Sequence, residues 1–419
     1  MINSSASLTG WSDYQLNLNQ IWENNSFQRK YFPELKNWRS WNGWDDFSKY
    51  VPLTTKQVLD EDRQANPPYG SNFTYSLDQY SRYSRTSGTS GKSMTWLDTQ
   101  KDWEWMLDNW GNIMEKAGIK AGSSCFFAFS FGPFLGFWTA YEAAVRKGCL
   151  CIPGGGESSK SRIRTILDDK VEYLFCTPTY ALRLVETARE NKISLHKNSL
   201  KKIIVAGESG GSSPAIRQMM DQAWGKESIF FDHYGMTEVG PVAYENPQQS
   251  GLRLLRNSFY AEVIHCQNLS PVEDGEVGEL VLTPLQRIGS PVIRYRTGDL
   301  VRVKRGTDSA GAPTFDLIGG VLGRADDMVV VRGVNLYPSA VDNIVRSICG
   351  IGEYEVSISE SRGMKEIGIK AECNQSVGLQ LEEALHDAFS LRISVECLAN
   401  QSLPRAEMKS KRWTLQNKN

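Results

Sequence analysis

Residues 81–96 read SRYSRTSGTSGKSMTW, a run of hydroxyl-bearing residues and glycines whose central part ends in a lysine. Backbone N–H groups, hydroxyls and an ammonium are the groups that bind a polyphosphate. The residues of this loop that can provide them are Thr86, Ser87, Gly88, Thr89, Ser90, Gly91 and Lys92. A cluster of Gly, Ser and Thr is also typical of a plain turn, so the loop alone leaves both interpretations open.

The loop is not a P-loop of the NTPase type, although Gly91, Lys92 and Ser93 match the end of that pattern. The pattern requires a glycine where Thr86 stands, and it runs from a strand into a helix. Here the following residues, MTWLD, alternate in bulk as a strand does. We therefore predict a strand–loop–strand element and exclude a P-loop NTPase.

The composition excludes several other classes of protein. With a net charge of -1 over 419 residues, nothing favours nucleic acid or an anionic membrane as a partner. No apolar run approaches the roughly 20 residues that span a bilayer. The polar start MINSSASLTGWSDYQ lacks the apolar core of a signal peptide, so we expect a cytoplasmic protein. The eight cysteines form no C-x-x-C, and no H-E-x-x-H occurs, which disfavours a disulfide framework and a zinc site.

The strands and helices that hold this loop in place are predicted to form an α/β protein. Apolar runs such as SCFFAFSF, VEYLFCTP, KKIIVAGES and ESIFFDHYG alternate with helical stretches at 99–117 and 214–224, a rhythm that predicts a mainly parallel sheet. YAEVIH, GELVLTPL and DLVRVKR then add strands without long helices, as in a β subdomain. The tryptophan-rich first 50 residues are helix-like and are expected to pack over this core, an exposed aromatic lid being the alternative.

The last part reads as a small α+β domain. DDMVVVRG is a strand, SAVDNIVRSI a helix with Ser339 as its N-cap, EYEVSISE and EIGIKAEC a hairpin, LEEALHDAF a second helix and ISVECL the final strand. The boundary falls near residues 323–327. We therefore predict a large N-terminal domain over 1–325 and a small, mobile C-terminal domain over 326–419.

Five motifs, in order over nearly the whole chain, resemble those of the adenylate-forming superfamily of acyl-CoA ligases and adenylation domains. They are SRTSGTSGK, HYGMTEVGP, YRTGDL, GRADDMVVVRG and LPRAEMKSKR. VPLTTK, AGESG, GVNLYPSAVDNIV and the short length are similar to the phenylacetate-CoA ligase-like branch. The resemblance implies a two-step reaction. A carboxylate attacks the α-phosphorus of ATP to give acyl-AMP and pyrophosphate, and a thiol, normally that of coenzyme A, then displaces AMP.

The resemblance also implies roles for charged and polar residues. The phosphate loop with Lys92 binds the β- and γ-phosphates, Thr237 donates to the α-phosphate, and Glu238 helps to hold Mg²⁺, a cation that takes carboxylate and phosphate oxygens. Asp299 accepts from the ribose hydroxyls and Arg324 reaches the ribose from the hinge. For Asp299 the alternative is a plain turn or helix cap.

Adenine is expected between two segments that each follow an apolar strand, because ligands of open α/β sheets bind at the carboxyl ends of strands. Tyr234 is the residue expected to stack on the base. The two segments contribute Gly207, Glu208, Ser209, His233, Tyr234, Gly235 and Met236.

Lys409 is the catalytic lysine that the resemblance implies, bridging the carboxylate and the α-phosphate. The chain departs from the branch here, since Met408 stands where the branch has glycine, and Lys411 lies nearby. A solvated basic tail is the alternative. The motif GRADDMVVVRG places the domain pivot at Asp326, for which a plain turn former is the alternative.

The acid is expected to bind along residues 126–141, FFAFSFGPFLGFWTAY, which are apolar and aromatic and include no charged residue. Phe131, Phe134, Phe137 and Trp138 would form a slot for a flat ring, with Gly235 beside them, and an ordinary core strand and helix is the alternative. This favours an aryl or arylacetic acid as substrate. Coenzyme A is the expected acceptor of the acyl group, and a carrier-protein thiol or an amine is the alternative. The chain is expected to be a monomer or a homodimer.

Overall fold

The computed structural model describes residues 10–86, 93–208, 210–331, 334–361, 364–405 and 412–416. The N-terminal helices pack aromatic side chains onto the rest of the protein. They are α1 Trp11–Asn24, α2 Ser26–Tyr31, a 3-10 helix Pro33–Ser40, α3 Trp44–Tyr50 and α4 Lys56–Ala65. The Trp44 ring stacks on Tyr260 with centroids 4.4 Å apart, and Trp38 and Trp41 are buried. The tryptophans therefore belong to the core, as predicted.

The loop rich in Gly, Ser and Thr connects two paired strands. Strands β1 Tyr80–Arg85 and β2 Thr95–Thr99 pair antiparallel, which confirms the strand–loop–strand prediction. The Thr86 backbone N–H donates to the Met94 carbonyl at 2.9 Å, and the Thr86 hydroxyl accepts from the Met94 N–H at 2.8 Å. Ser93 donates to the Thr86 carbonyl at 2.7 Å. Thr86 thus closes the base of the loop with its side chain, which a glycine could not do.

One eleven-stranded sheet forms the centre of the molecule, with strand order β10-β11-β12-β13-β9-β8-β7-β6-β5-β3-β4. Its parallel part contains β3 Ser124–Phe127, β4 Leu150–Pro153, β5 Tyr173–Cys176, β6 Lys202–Val205 and β7 Phe230–Met236. The helices that connect and cover it are α5 Gln100–Lys116, α6 Leu135–Arg146, α7 Ser159–Asp168, α8 Pro178–Glu190 and α9 Pro214–Trp224.

The antiparallel part contains β8 Gly240–Glu245, β9 Gly251–Leu254, β10 Phe259–Ile264, β11 Val277–Pro284, β12 Tyr295–Thr307 and β13 Pro313–Arg324. Strand β7 is parallel to β6 and antiparallel to β8, so the sheet changes character there. The predicted α/β sheet and β subdomain are therefore two halves of one sheet.

The C-terminal part has its own sheet and hydrophobic core. Its elements are β14 Val329–Val331, β15 Val334–Leu336, α10 Pro338–Ser347, β16 Tyr354–Ser361, β17 Met364–Glu372, α11 Gln375–Phe389, β18 Ser394–Leu398 and β19 Trp413–Gln416. The four-stranded sheet has the order β18-β17-β16-β19. Its core contains Val341, Val345, Val356 and Leu381.

Two local predictions in this part are wrong. Helix α10 begins at Pro338 with Tyr337 as N-cap, and the Ser339 hydroxyl instead donates to the Leu322 carbonyl, which joins the helix to β13. ISVECL is not the final strand, because Trp413–Gln416 forms β19 and pairs parallel with β16.

Candidate active site

A buried carboxylate and its two partners lie where β12 and β13 pair. The Tyr234 hydroxyl donates to Asp299 Oδ2 at 2.6 Å, and Arg324 Nη1 donates to Asp299 Oδ1 at 3.3 Å. Asp299 and Arg324 are direct partners across the two strands, and Asp299 is 7% exposed. Arg324 is also held from its other side by Asp326, whose oxygens accept from Nε and Nη2 at 2.8 and 3.1 Å. The structure thus brings together predicted residues that are far apart in the sequence.

Gly298 allows this close packing. Its φ is +76°, in the left-handed region, and a Cβ there would lie 2.6 Å from Arg324 Nη2. Any side chain at position 298 would push the guanidinium away from Asp299. The glycine of YRTGDL is therefore required by the approach of Arg324.

Burial sets the electrostatics of this cluster. It raises the pKa of Asp299 to about 6, against the opposing effects of the Tyr234 hydrogen bond and the Arg324 charge. Burial also raises the pKa of Tyr234, and the Asp299 charge raises it further. Burial lowers the pKa of Arg324, but the hydrogen bonds to Asp326 and the charge of Asp299 outweigh it, so the net shift is upward. The arrangement is a carboxylate with fixed partners, suited to accepting hydrogen bonds from neighbouring hydroxyls.

Thr237 and Glu238 follow β7. Glu238 is 5% exposed, and the Tyr295 hydroxyl donates to its Oε1 at 3.4 Å. The Thr237 carbonyl accepts from Arg287 Nη1 at 2.8 Å, and Arg287 forms a fully buried ion pair with Asp98. This pair fixes the backbone from which the Thr237 and Glu238 side chains project. A buried carboxylate with a single weak hydroxyl donor among the described residues fits a hard cation such as Mg²⁺.

Arg63 on α4 is a charged neighbour that the motifs did not indicate. Its guanidinium lies 5.3 Å from the Trp96 ring, on which Arg287 also packs at 5.4 Å. Nη1 of Arg63 is buried and makes no hydrogen bond with any residue that the structure describes. Burial lowers the pKa of Arg63 to about 10, and Glu238 is the charge that opposes this most strongly. A positive charge therefore lies close to the predicted metal-binding carboxylate.

The two segments predicted to hold adenine lie at the ends of neighbouring strands β6 and β7. Glu208 accepts from the Thr179 N–H at 2.7 Å, and Gly207 has a φ of +94°. A bulge in the pairing of β7 with β8 falls between Tyr234 and Gly235, just before Met236. The His233 ring points into the core, where it packs on Trp110 at 4.3 Å and donates to the Ala243 carbonyl at 2.8 Å. Burial lowers the pKa of His233 to about 4, so the ring is neutral.

Asp232 is a buried carboxylate beside these segments that the sequence analysis missed. Its Oδ2 accepts from Ser212 at 2.5 Å, and a Cβ on Gly211 would lie 2.2 Å from its Oδ1. Burial raises its pKa to about 6. An acidic residue inside the apolar run IFFDHYG is a signal that could have identified it.

The predicted acyl pocket is a set of aromatic rings between β3 and α6. Phe137 stacks on Phe129 with centroids 4.0 Å apart, Phe134 meets Phe137 edge to face at 5.8 Å, and Phe131 meets Trp138 at 5.1 Å. Trp138 is 38% exposed and donates to the Gly132 carbonyl at 3.0 Å. The structure therefore brings all four predicted aromatic residues together, and Phe129, which the prediction omitted, lies among them.

Some predicted residues lie outside the described part of the chain. They are Ser87, Gly88, Thr89, Ser90, Gly91, Lys92, Ser209 and Lys409 with its neighbours Met408 and Lys411. The described residues on either side of the lysine segment (residues 406–411) are both held by ion pairs. Before it, Arg405 donates to both oxygens of Glu372 at 2.8 and 2.6 Å, and after it Arg412 donates to Glu353 at 2.6 and 3.2 Å.

Within the described residues, none of the helices combines the length and apolar character needed to cross a bilayer. Two family models match the chain. The AMP-binding enzyme family matches residues 86–284, and the AMP-binding enzyme C-terminal domain matches residues 333–415.

Relatives and solved structures agree with these matches. The chain is 30% identical to the phenylacetate-coenzyme A ligase of Pseudomonas putida over 78% of this chain and 74% of that one. It is 30% identical to that of Escherichia coli over 87% and 84%. A 2-hydroxyisobutyryl-CoA ligase in its postadenylation state superposes with a TM-score of 0.89 at 26% identity, over 97% of this chain and 88% of that one.

The same ligase in its thioesterification state, with 2-HIB-AMP and CoA, superposes with a TM-score of 0.71 over 96% of this chain and 88% of that one. The chain is therefore arranged more like the postadenylation state. The described cluster at β12 and β13, the family models and the relatives agree. The chain belongs to the adenylate-forming family of AMP-binding enzymes, in the branch of the phenylacetate-coenzyme A ligases, and it is an AMP-forming acid–thiol ligase that uses ATP and coenzyme A.

Proposed function

We propose that the acid is aromatic, an aryl or arylacetic acid, and that the enzyme converts it through its acyl-adenylate to the coenzyme A thioester. The observation that carries this choice is the aromatic cluster Phe129, Phe131, Phe134, Phe137 and Trp138 beside the parallel strands. Flat rings favour offset or edge-to-face packing on such side chains. Relatives named phenylacetate-coenzyme A ligase support the proposal. Its substrates ATP and coenzyme A suggest a cytoplasmic enzyme.

We assign the nucleotide contacts to the buried cluster. Asp299 accepts from the ribose hydroxyls while Tyr234 and Arg324 hold its carboxylate in place. Tyr234 belongs to one of the two segments proposed for adenine, and its hydroxyl donates to this carboxylate. Because the carboxylate is held before the nucleotide arrives, little reorganisation is required on binding.

Bringing an anionic acid to an anionic triphosphate is mainly a problem of charge and position. Lys92 and the loop closed by Thr86 bind the β- and γ-phosphates in this proposal, and Thr237 donates to the α-phosphate. Glu238 holds Mg²⁺, which when bound neutralises phosphate charge. Lys409 stabilises the charge that develops between the carboxylate and the α-phosphorus, and an ammonium on a flexible stem suits that role.

Acid-dependent pyrophosphate exchange, followed by addition of coenzyme A, tests the proposal. We expect exchange with at least one aromatic acid and none with acetate, and thioester only when coenzyme A is added. Preference for acetate or for a dicarboxylate would contradict the aromatic pocket. If product formed with a carrier protein or an amine but not with coenzyme A, the proposal that coenzyme A accepts the acyl group would be contradicted.

The lysine assignment is tested in the same assay. Lys409→Ala is expected to slow acyl-adenylate formation about 10²–10³-fold, the cost of losing one preorganised charge donor. It is expected to slow thioester formation from supplied acyl-AMP much less. Lys411→Ala is the matched control and is expected to leave both rates nearly unchanged. If Lys411→Ala slowed acyl-adenylate formation instead, the catalytic lysine would be Lys411, two residues further along the motif.

A further inference from the structure

The last turns of α8 contact described residues that precede the lysine segment. Glu186 Oε2 lies 3.4 Å from Arg405 Nε, and Glu190 Oε1 accepts from Gln401 Nε2 at 3.3 Å. Within α8, Arg183 holds both carboxylates at 3.3 Å. Two acidic residues on one helix face therefore meet two residues of the chain that leads to Lys409.

Arg405 joins this contact to a buried carboxylate of the C-terminal part. Its Nη1 and Nη2 hold Glu372, whose side chain is fully buried, and Glu372 also accepts from the Leu403 N–H at 2.8 Å. The Arg405 side chain is 19% exposed. Since Lys409 follows four residues later, the position of Arg405 sets the point from which the lysine segment leaves.

The other end of α8 lies at the nucleotide side. The Thr179 N–H in its first turn donates to Glu208 of the segment proposed for adenine. The 13-residue helix spans about 20 Å. One rigid element thus contacts the proposed adenine segment at one end and the residues that precede the lysine segment at the other.

We propose that Glu186 and Glu190 are positioning residues that seat the lysine segment for acyl-adenylate formation. This rests on the proposed role of Lys409. The contacts occur in a chain that is more similar to the postadenylation state of 2-hydroxyisobutyryl-CoA ligase than to its thioesterification state. They belong to the first half-reaction, and the second does not need them.

The double variant Glu186→Gln/Glu190→Gln tests the proposal. We expect pyrophosphate exchange to slow about fivefold, the equivalent of about 1 kcal/mol for a partly exposed ion pair. Thioester formation from supplied acyl-AMP is expected to stay unchanged. Arg189→Gln is the matched control, because Arg189 is exposed on the same helix and makes no ion pair with any described residue. Equal slowing of both half-reactions would overturn the proposal.

A double-mutant cycle shows whether Glu186 acts through Arg405. We expect Glu186→Gln to have no further effect on exchange in an Arg405→Gln background, whereas independent effects that multiply would contradict the proposal.

Hydrogen–deuterium exchange of residues 399–416 in the substrate-free protein gives a readout that does not depend on activity. Faster exchange is expected in the double variant and not in Arg189→Gln, and unchanged exchange would overturn the proposal. If the unaltered enzyme showed no pyrophosphate exchange with any acid, the proposed function would fail, and this last measurement would still decide the role of Glu186 and Glu190.

Discussion

The end of the active site proposed for the nucleotide, around Asp299, and the end proposed for the acid, around Phe137, are held in place by different forces. At the nucleotide end, Asp299 is fixed by hydrogen bonds from Tyr234 and Arg324, and Arg324 is fixed in turn by Asp326. At the acyl end, the aromatic residues contact mainly one another, as where Phe129 and Phe137 stack 4.0 Å apart.

Buried charges require partners with defined geometry, because an unpaired charge in the interior is costly. Aromatic packing has weaker directional preferences, and cores tolerate exchanges that conserve volume. The nucleotide end is therefore expected to lose function sharply on substitution. The acyl end is expected to change its preference among acids while keeping the use of ATP.

The largest effect is expected from Asp299→Ala. The change removes the acceptor proposed for the ribose hydroxyls and the main acceptor of the Tyr234 hydroxyl, which otherwise contacts Met236 Sδ at 3.7 Å. Two hydrogen bonds to a charged group correspond to about 1.5–3 kcal/mol each, so we expect kcat/KM for ATP in pyrophosphate exchange to fall about 100-fold or more. Tyr234→Phe, which removes only the 2.6 Å hydrogen bond, is expected to cost less. An unchanged KM for ATP in Asp299→Ala would contradict the ribose assignment.

The next effect concerns the junction after β13. Asp326→Pro fixes φ near −65° and restricts Ala325, so it is expected to hinder a rotation of the C-terminal part. We expect pyrophosphate exchange to survive while thioester formation slows at least tenfold, because only the second half-reaction requires the rearrangement.

Asp326→Ala is the control for this junction, because the side chain also binds Arg324. It removes that carboxylate without restricting the backbone. We expect it to raise KM for ATP without slowing thioester formation more than pyrophosphate exchange. Equal losses of both half-reactions in Asp326→Pro would falsify the hinge assignment.

The sequence indicated candidate residues for the proposed nucleotide end for a physical reason. A site for phosphate, ribose and metal needs particular residue types at fixed spacings, and Glu238, Asp299 and Arg324 could be found from their motifs. Asp232 has only a weak signal in the sequence, an acidic residue within an apolar run, and Arg63 has none, since its significance comes from packing on Trp96, which is distant in sequence. An arginine on a polar helix becomes informative only once the fold brings it beside such a partner.

The fold was predictable where hydrophobic periodicity decides it, and less so where pairing is long-range. The alternation of strands and helices indicated the parallel part of the sheet, whereas β19 was missed because a short segment near the end pairs with β16, some sixty residues earlier. The start of α10 was misplaced for a related reason, since Ser339 donates to Leu322 on another element instead of capping its own helix.

A smaller effect is expected at the acyl end. Phe137→Ala removes one ring of the stacked pair with Phe129 and opens space beside the proposed slot. We expect KM for a small aromatic acid to rise about tenfold, larger acids to be better tolerated, and KM for ATP to change less than twofold. The measurement is pyrophosphate exchange over acids of graded size. Phe47→Leu, in the buried N-terminal aromatic core, is the control for loss of core packing. If Phe137→Ala changed KM for the acid and KM for ATP equally, the separation of the two ends would be contradicted.

The smallest effect is expected from pH, again at the nucleotide end. Burial raises the pKa of Asp299 to about 6, so the carboxylate takes up a proton as the pH falls through that value. A protonated carboxyl is a poorer acceptor for two hydroxyls, and we expect KM for ATP to rise severalfold between pH 7 and pH 5.5. Asp299→Asn is expected to abolish this dependence while having a high KM throughout.

The same titration is expected to affect folding in the opposite direction. The pKa of Asp299 is higher in the folded protein than in the unfolded chain, where it is near 4, so the native state binds the proton more tightly. Its contribution to the free energy of unfolding is greatest below about pH 4 and is lost as the pH rises through about 6. Acid therefore weakens ATP binding at this residue while stabilising the fold there. Asp232, whose pKa is also raised to about 6 by burial, is the matched control. Asp232→Asn is expected to change the pH dependence of unfolding as Asp299→Asn does. If Asp232→Asn also removed the pH dependence of KM for ATP, the titration seen in that constant would not belong to Asp299 alone.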